Sequence, residues 1–102
     1  MKDIGDEIAI KTLRKIFLKK PQTTLGVDHI IFLNTNRGIA SVCYEAKKEM
    51  CHSGGIVQGG FITGWIDAVM ALACMAKCGT DVLVLTLEIK ISFLNSAKIG
   101  KL

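Results

Sequence analysis

A lone carboxylate, Asp67, stands inside the apolar run HSGGIVQGGFITGWIDAVMALA, residues 52–73. A buried ionised carboxylate is costly unless it is paired or hydrogen-bonded, so Asp67 must be compensated locally or face a pocket. In the first case it is a structural acid, held by donors such as the Thr63 hydroxyl four residues earlier on the same helix face. In the second it is a general base or nucleophile in a dry cleft, its basicity raised by desolvation. The approach to the helix favours the second. Gly59 and Gly60 let a ligand reach the main chain, and the free N–H groups of a helix start hold developing negative charge. A carbonyl oxygen polarised there, with a carboxylate about one and a half to two helical turns further on, makes an oxyanion hole plus a base, a layout suited to acyl transfer. From residue types alone both cases remain open.

The elements that must position these groups follow from hydrophobic spacing. Over residues 3–20, Ile4, Ile8, Leu13, Ile16 and Phe17 recur at helical intervals, with acids in the first turns, basic residues in the last, and Pro21 as a stop. The stretch VDHIIFLNTNRGIASVCYEA reads as a hairpin around NTNRG. Residues 61–78 are apolar on nearly every side and predict a buried central helix ending at Gly79. From 82 to 93, Leu83, Leu85, Leu87, Ile89, Ile91 and Phe93 share one parity, against Thr86, Glu88, Lys90 and Ser92 on the other. That alternation predicts a long strand with one buried face. The order helix, hairpin, helix, strand predicts an α+β fold, a curved antiparallel sheet wrapped around one central helix.

Composition narrows the function classes. A chain of 102 residues, half of them hydrophobic and 22% charged, is expected to form one domain, 1–102, and not a disordered chain. Residues 1–20 carry six Lys/Arg and three Asp/Glu, net +3, leaving +1 of the total +4 for the rest, so no extended basic surface for nucleic acid is expected. The first twenty residues contain Asp3, Asp6 and Glu7 and lack a continuous apolar core, unlike a signal peptide, which implies a cytoplasmic address. Residues 56–76 approach the length of a membrane span, but Gln58, Asp67 and the amphipathic flanks speak against a membrane. Cys43, Cys51, Cys74 and Cys78 have no CxxC pairing and are expected to be reduced thiols without a metal.

With these residues in view, GGIVQGGFITGWIDAVMALA and LTLEIKISFLNSAKIG, together spanning much of residues 54–100, resemble the PaaI-like acyl-CoA thioesterases of the hotdog-fold superfamily. The resemblance implies thioester hydrolysis without cofactor, in a homodimer or larger homo-oligomer whose active sites form between subunits. Asp67 then matches the catalytic acid, Gly59 the backbone N–H that polarises the thioester carbonyl, and Thr86 a hydroxyl that orients the attacking water. His52, Gln58, Gly60 and Thr63 fall on the substrate-binding side, with His52 where many relatives have Asn and Gln58 where the commoner residue is His. Lys98 or Lys101 would meet CoA phosphates, and Trp65 and Met70 would border an acyl pocket for short to medium or aromatic groups. Relatives continue into further strands that lie inside the sheet, so this sequence is expected to be C-terminally truncated, with residues 83–93 short of pairing neighbours. A non-catalytic module binding acyl-CoA or an acyl carrier, an inactive fragment, and a structural or membrane-associated piece are the alternatives.

Overall fold

Asp6 begins the first helix. Its carboxylate accepts from the N–H groups of Ile8 and Ala9 at 3.0 and 3.1 Å, capping donors that have no intrahelical partner. Helix α1 runs Glu7–Phe17, shorter than the 3–20 expected from periodicity. Its buried stripe is Ile10, Leu13 and Phe17, whereas Ile4, Ile8 and Ile16 are exposed, which corrects the apolar face read from spacing. The helix could present either stripe; the sheet selects one through an ion pair. Arg14 bonds Asp3 through Nε and Nη2, both at 2.8 Å, and donates from Nη1 to the Ile30 carbonyl at 3.0 Å, while Leu33 N–H donates to Asp3 at 2.9 Å. The Arg14 guanidinium holds the Asp3 carboxyl below its usual value.

This computed structural model describes residues 2–102. The expected hairpin is present as β1, Val27–Asn34, antiparallel to β2, Ile39–Ala46. Its turn is held by Asn34 Oδ1, which accepts from the N–H groups of Asn36 and Arg37, both at 3.0 Å. The register slips twice on β1: Asp28 and Ile31 are extra residues facing no counterpart on β2. A 3-10 turn, Lys48–Met50, leads into a short ladder of β3, Cys51–His52, and β4, Ile56–Val57. Gly54 and Gly55 turn that ladder at φ +86° and +72°, a region costly for other residues. Helix α2 then spans Gly59–Cys78 and closes at Gly79, whose N–H bonds the Met75 carbonyl at 2.9 Å.

The sheet order is β1-β2-β5, where β5 is Gly100–Lys101. Helix α2 lies across β2, and the core joins Leu13 of α1, Leu33 of β1, Tyr44 of β2 and Leu72 of α2. At its centre the Tyr44 and Trp65 rings stack at 5.3 Å, and Trp65 Nε1 donates to the Leu25 carbonyl at 2.8 Å. Burial pushes the Tyr44 phenol up to about 12.

Two expectations fail here, for one reason. Residues 82–93 join no sheet, and Leu83, Leu85 and Leu87 are 84%, 78% and 100% exposed instead of forming a buried face. Only the Tyr44–Ala46 end of β2 is paired on its outer edge, by β5 and Leu102, so the long alternating segment has no strand beside it among the described residues. With that segment outside the sheet, one side of α2 loses its cover. Trp65, Leu72 and Ala76 are buried, but Ile66 and Met70 are exposed, so α2 is not the fully buried helix its composition suggested.

Candidate active site

Asp67 projects from the less covered side of α2, half-buried, and its Oδ1 accepts a short hydrogen bond from the Thr86 hydroxyl. The two residues are nineteen apart in the chain, and the chain reverses after Gly79 so that Thr86 comes back alongside the helix. Both line a cleft of about 380 Å³ together with Met70, Ala71, Cys74 and Glu88. Among the described residues Asp67 Oδ2 has no hydrogen-bond partner, so one carboxylate oxygen is anchored and the other is free to take a proton.

Thr63 does not compensate Asp67. Its hydroxyl donates to the Gly59 carbonyl at 2.8 Å, inside the first turn of α2, where it steadies the glycine entry. Gln58 occupies the N-cap position without offering its side chain to the helix, which leaves the first N–H groups, those of Gly59 and Gly60, uncapped by it. The Phe93 ring packs against Gly59: a Cβ built there would lie 3.0 Å from the ring. His52 lies exposed on β3, its Nδ1 3.0 Å from the Ser53 carbonyl, beyond the Cys51–Val57 pair that leads into Gln58. The structure therefore forms two clusters. Asp67 and Thr86 meet at the cleft; Gln58, Gly59, Gly60 and Thr63 meet at the helix start.

The separation is large. The eight helical steps from Gly59 to Asp67 rise about 12 Å, and a carbonyl oxygen bonded to the Gly59 N–H sits about 3 Å further out along the axis. An oxygen some 15 Å up the axis is beyond any side-chain reach of the same chain's Asp67. The two clusters can serve one thioester only if they come from different copies of the chain.

Residues 54–102 match the thioesterase superfamily. That matched stretch contains Gln58, Gly59, Gly60, Thr63, Asp67 and Thr86, whereas His52 falls outside it. The chain is also similar to a Saccharolobus solfataricus protein named a "putative esterase", at 33% identity over 90 residues, covering 87% of this chain. It spans 62% of that relative's length. A solved structure, that of a conserved protein from Pseudomonas aeruginosa, superposes with a TM-score of 0.75 at 27% identity, covering 86% of this chain and 68% of the other. The α+β arrangement of helix and antiparallel sheet is of the hotdog type found in the thioesterase superfamily.

Within the matched segment, two cleft residues have no role in the sequence analysis. Glu88 follows Thr86 by two and shares its strand parity, and Cys74 follows Asp67 by seven on the same helix face; both spacings were available. Shielding from water and the neighbouring Cys78 thiol push the Cys74 thiol up, away from the thiolate, so Cys74 is no activated nucleophile. A second, more apolar cleft of about 450 Å³ lies between β2 and α2, lined by Val42, Tyr44, Trp65, Val69 and Ala73, and Met70 borders both clefts. Lys101, a candidate for CoA phosphate, instead places its ammonium 2.7 Å from Asp28.

Proposed function

We propose that this protein hydrolyses acyl-CoA thioesters as a PaaI-like member of the thioesterase superfamily, acting as a homodimer of one-domain chains in the cytoplasm. The observation that carries the reading is the Thr86-to-Asp67 hydrogen bond on the wall of the cleft. A carboxylate with one oxygen tied by a hydroxyl and the other free is oriented for a single proton transfer. Water, hydrogen-bonded to Asp67 Oδ2 and to the Thr86 oxygen, attacks the thioester carbon as Asp67 takes its proton. The carbonyl oxygen gains negative charge against the Gly59 N–H of the partner copy. Collapse of the adduct breaks the carbon–sulfur bond, and the CoA thiolate leaves and recovers a proton.

The apolar cleft at Tyr44 and Trp65, separated from Asp67 by Met70, suits a short to medium or aromatic acyl group. Gln58, Gly60 and Thr63 shape the main-chain approach, and Lys98, exposed at the bridge to Ile56, is the remaining lysine for a CoA phosphate. The test is hydrolysis of a panel of acyl-CoAs, followed by free-thiol release with the protein's own cysteines subtracted. Turnover that disappears in Asp67→Ala is expected; turnover unchanged in that variant would overturn the assignment.

A further inference from the structure

Away from the acyl-transfer site, three different metal-ligating side chains converge on the hairpin. Asp28, His29 and Cys43 each bring a donor atom to one spot, all within 4.8 Å of one another. His29 faces Cys43 across the ladder as its register partner. Asp28 precedes His29, and successive strand residues normally point to opposite faces. Here they do not: Asp28 is the extra residue of the first bulge on β1, and its Oδ2 lies 2.6 Å from His29 Nδ1. Bulges re-aim side chains, and this one turns a carboxylate onto the face that already carries an imidazole and a thiol.

We propose that Asp28, His29 and Cys43 form a binding site for a divalent metal of zinc type, with the Lys101 ammonium as its resident competitor. Three observations support it. The donor set is thiol, imidazole and carboxylate, the ligand types of zinc, with a coordination position left for water. Tetrahedral ligands at zinc distances are about 3.3–3.8 Å apart, so rotations that move the three donor atoms by roughly an ångström close the site. The spot already attracts a cation, since Lys101 Nζ sits 2.7 Å from Asp28 Oδ1. An Asp28–Lys101 ion pair needs neither the bulge nor a cysteine facing it. Cys43 is 9% exposed and fixed in the central strand, so the thiol is held on a rigid element while Asp28 and His29 face solvent and can adjust. On binding, Cys43 loses its thiol proton to solvent, the sulfur donates its lone pair to the metal, and Lys101 swings away from Asp28.

The experiment is a cobalt(II) titration of the reduced, metal-free full chain, read by thiolate-to-cobalt charge transfer in the near ultraviolet and reversed by zinc. The expected result is a band that saturates at equimolar metal and is lost in Cys43→Ser and in His29→Gln. It should persist when Cys74 and Cys78 are both changed to serine. Removing the competing ammonium in Lys101→Gln should tighten binding about two- to fivefold, the size of an exposed ion pair's effect. His29 is exposed, so His29→Gln keeps the test valid even where Cys43→Ser alters folding. The absence of a band, a band that survives His29→Gln, or no tightening in Lys101→Gln would each overturn the site.

Discussion

The distance between Gly59 and Asp67 makes a strong prediction about active-site ownership, and Gly59→Pro is the means to test it. Proline at the first position of a helix removes an N–H that has no intrahelical partner, so α2 itself is not disturbed. Gln58, at φ −62° and ψ 135°, already has the extended conformation that a residue before proline adopts. The new Cβ would meet the tip of Phe93 at 3.0 Å, and Phe93, 54% exposed, has room to move. The variant should therefore fold while losing the proposed oxyanion donor, a loss of about 10²–10³ in kcat. Asp67→Ala removes the proposed base at the other cluster. Neither homodimer should turn over appreciably, but co-expressed together they should recover activity. A heterodimer contains one site in which the intact Gly59 of the Asp67→Ala chain meets the intact Asp67 of the Gly59→Pro chain. With random pairing about half the dimers are mixed, each with one of two sites intact, so about a quarter of wild-type activity returns. The assay is free-thiol release from an acyl-CoA by the co-purified mixture, against each variant alone. A mixture no more active than its components would refute the shared site and with it the argument from helix rise.

Other consequences are more local. Thr86→Val should lower acyl-CoA turnover by about tenfold or more, by freeing Asp67 to rotate, whereas Thr86→Ser should retain most of it; the two rates are compared at saturating substrate. Asp3→Asn should cost about 1–3 kcal/mol near neutral pH, measured by urea unfolding, because it leaves Arg14 and the Leu33 N–H without their charged partner. The Asp3 carboxyl is depressed in the folded state, so its contribution is present above the ordinary carboxylate value and fades as pH falls through the lower folded value; the difference between wild type and Asp3→Asn should shrink in acid. Tyr44 is the only tyrosine, so ultraviolet titration should show phenolate forming only near pH 12, with stability declining from about pH 10, the unfolded value, upward.

Sequence patterning located what depends on neighbours along the chain. The turn NTNRG, the acids that open α1, and Gly79 at the end of α2 each act within a few residues, and each is where spacing placed it. The glycines at 59 and 60 belong to α2 itself, two residues ahead of the predicted start. Burial was harder to read. The periodicity of residues 82–93 shows that one face is apolar, but a strand needs a neighbour, and pairing is a property of the whole sheet. The same gap explains why α2, apolar all round, is half uncovered, and why Ile10 rather than Ile8 faces the core once Asp3 and Arg14 have fixed the rotation of α1. Asp67 stood out as a charge among apolar residues, but helix spacing pointed to Thr63 as its partner; resemblance placed Thr86 only as a hydroxyl that orients water, and its bond to Asp67 is visible only in the structure. Nothing in the spacing of Asp28, His29 and Cys43 predicts their meeting, which depends on a bulge and on strand register.

The unpaired segment after α2 also has a kinetic signature. Residues 82–95 donate no main-chain hydrogen bond to another part of the described chain, whereas Tyr44 and Leu102 exchange a reciprocal pair at 2.8 Å each. In deuterated water the isolated chain should therefore label 82–95 at once and the hairpin slowly. If a second copy, or any other strand, zips onto that segment, its amides fall silent. Local exchange then becomes a gauge of how much of the protein has found its partner, readable peptide by peptide without a substrate.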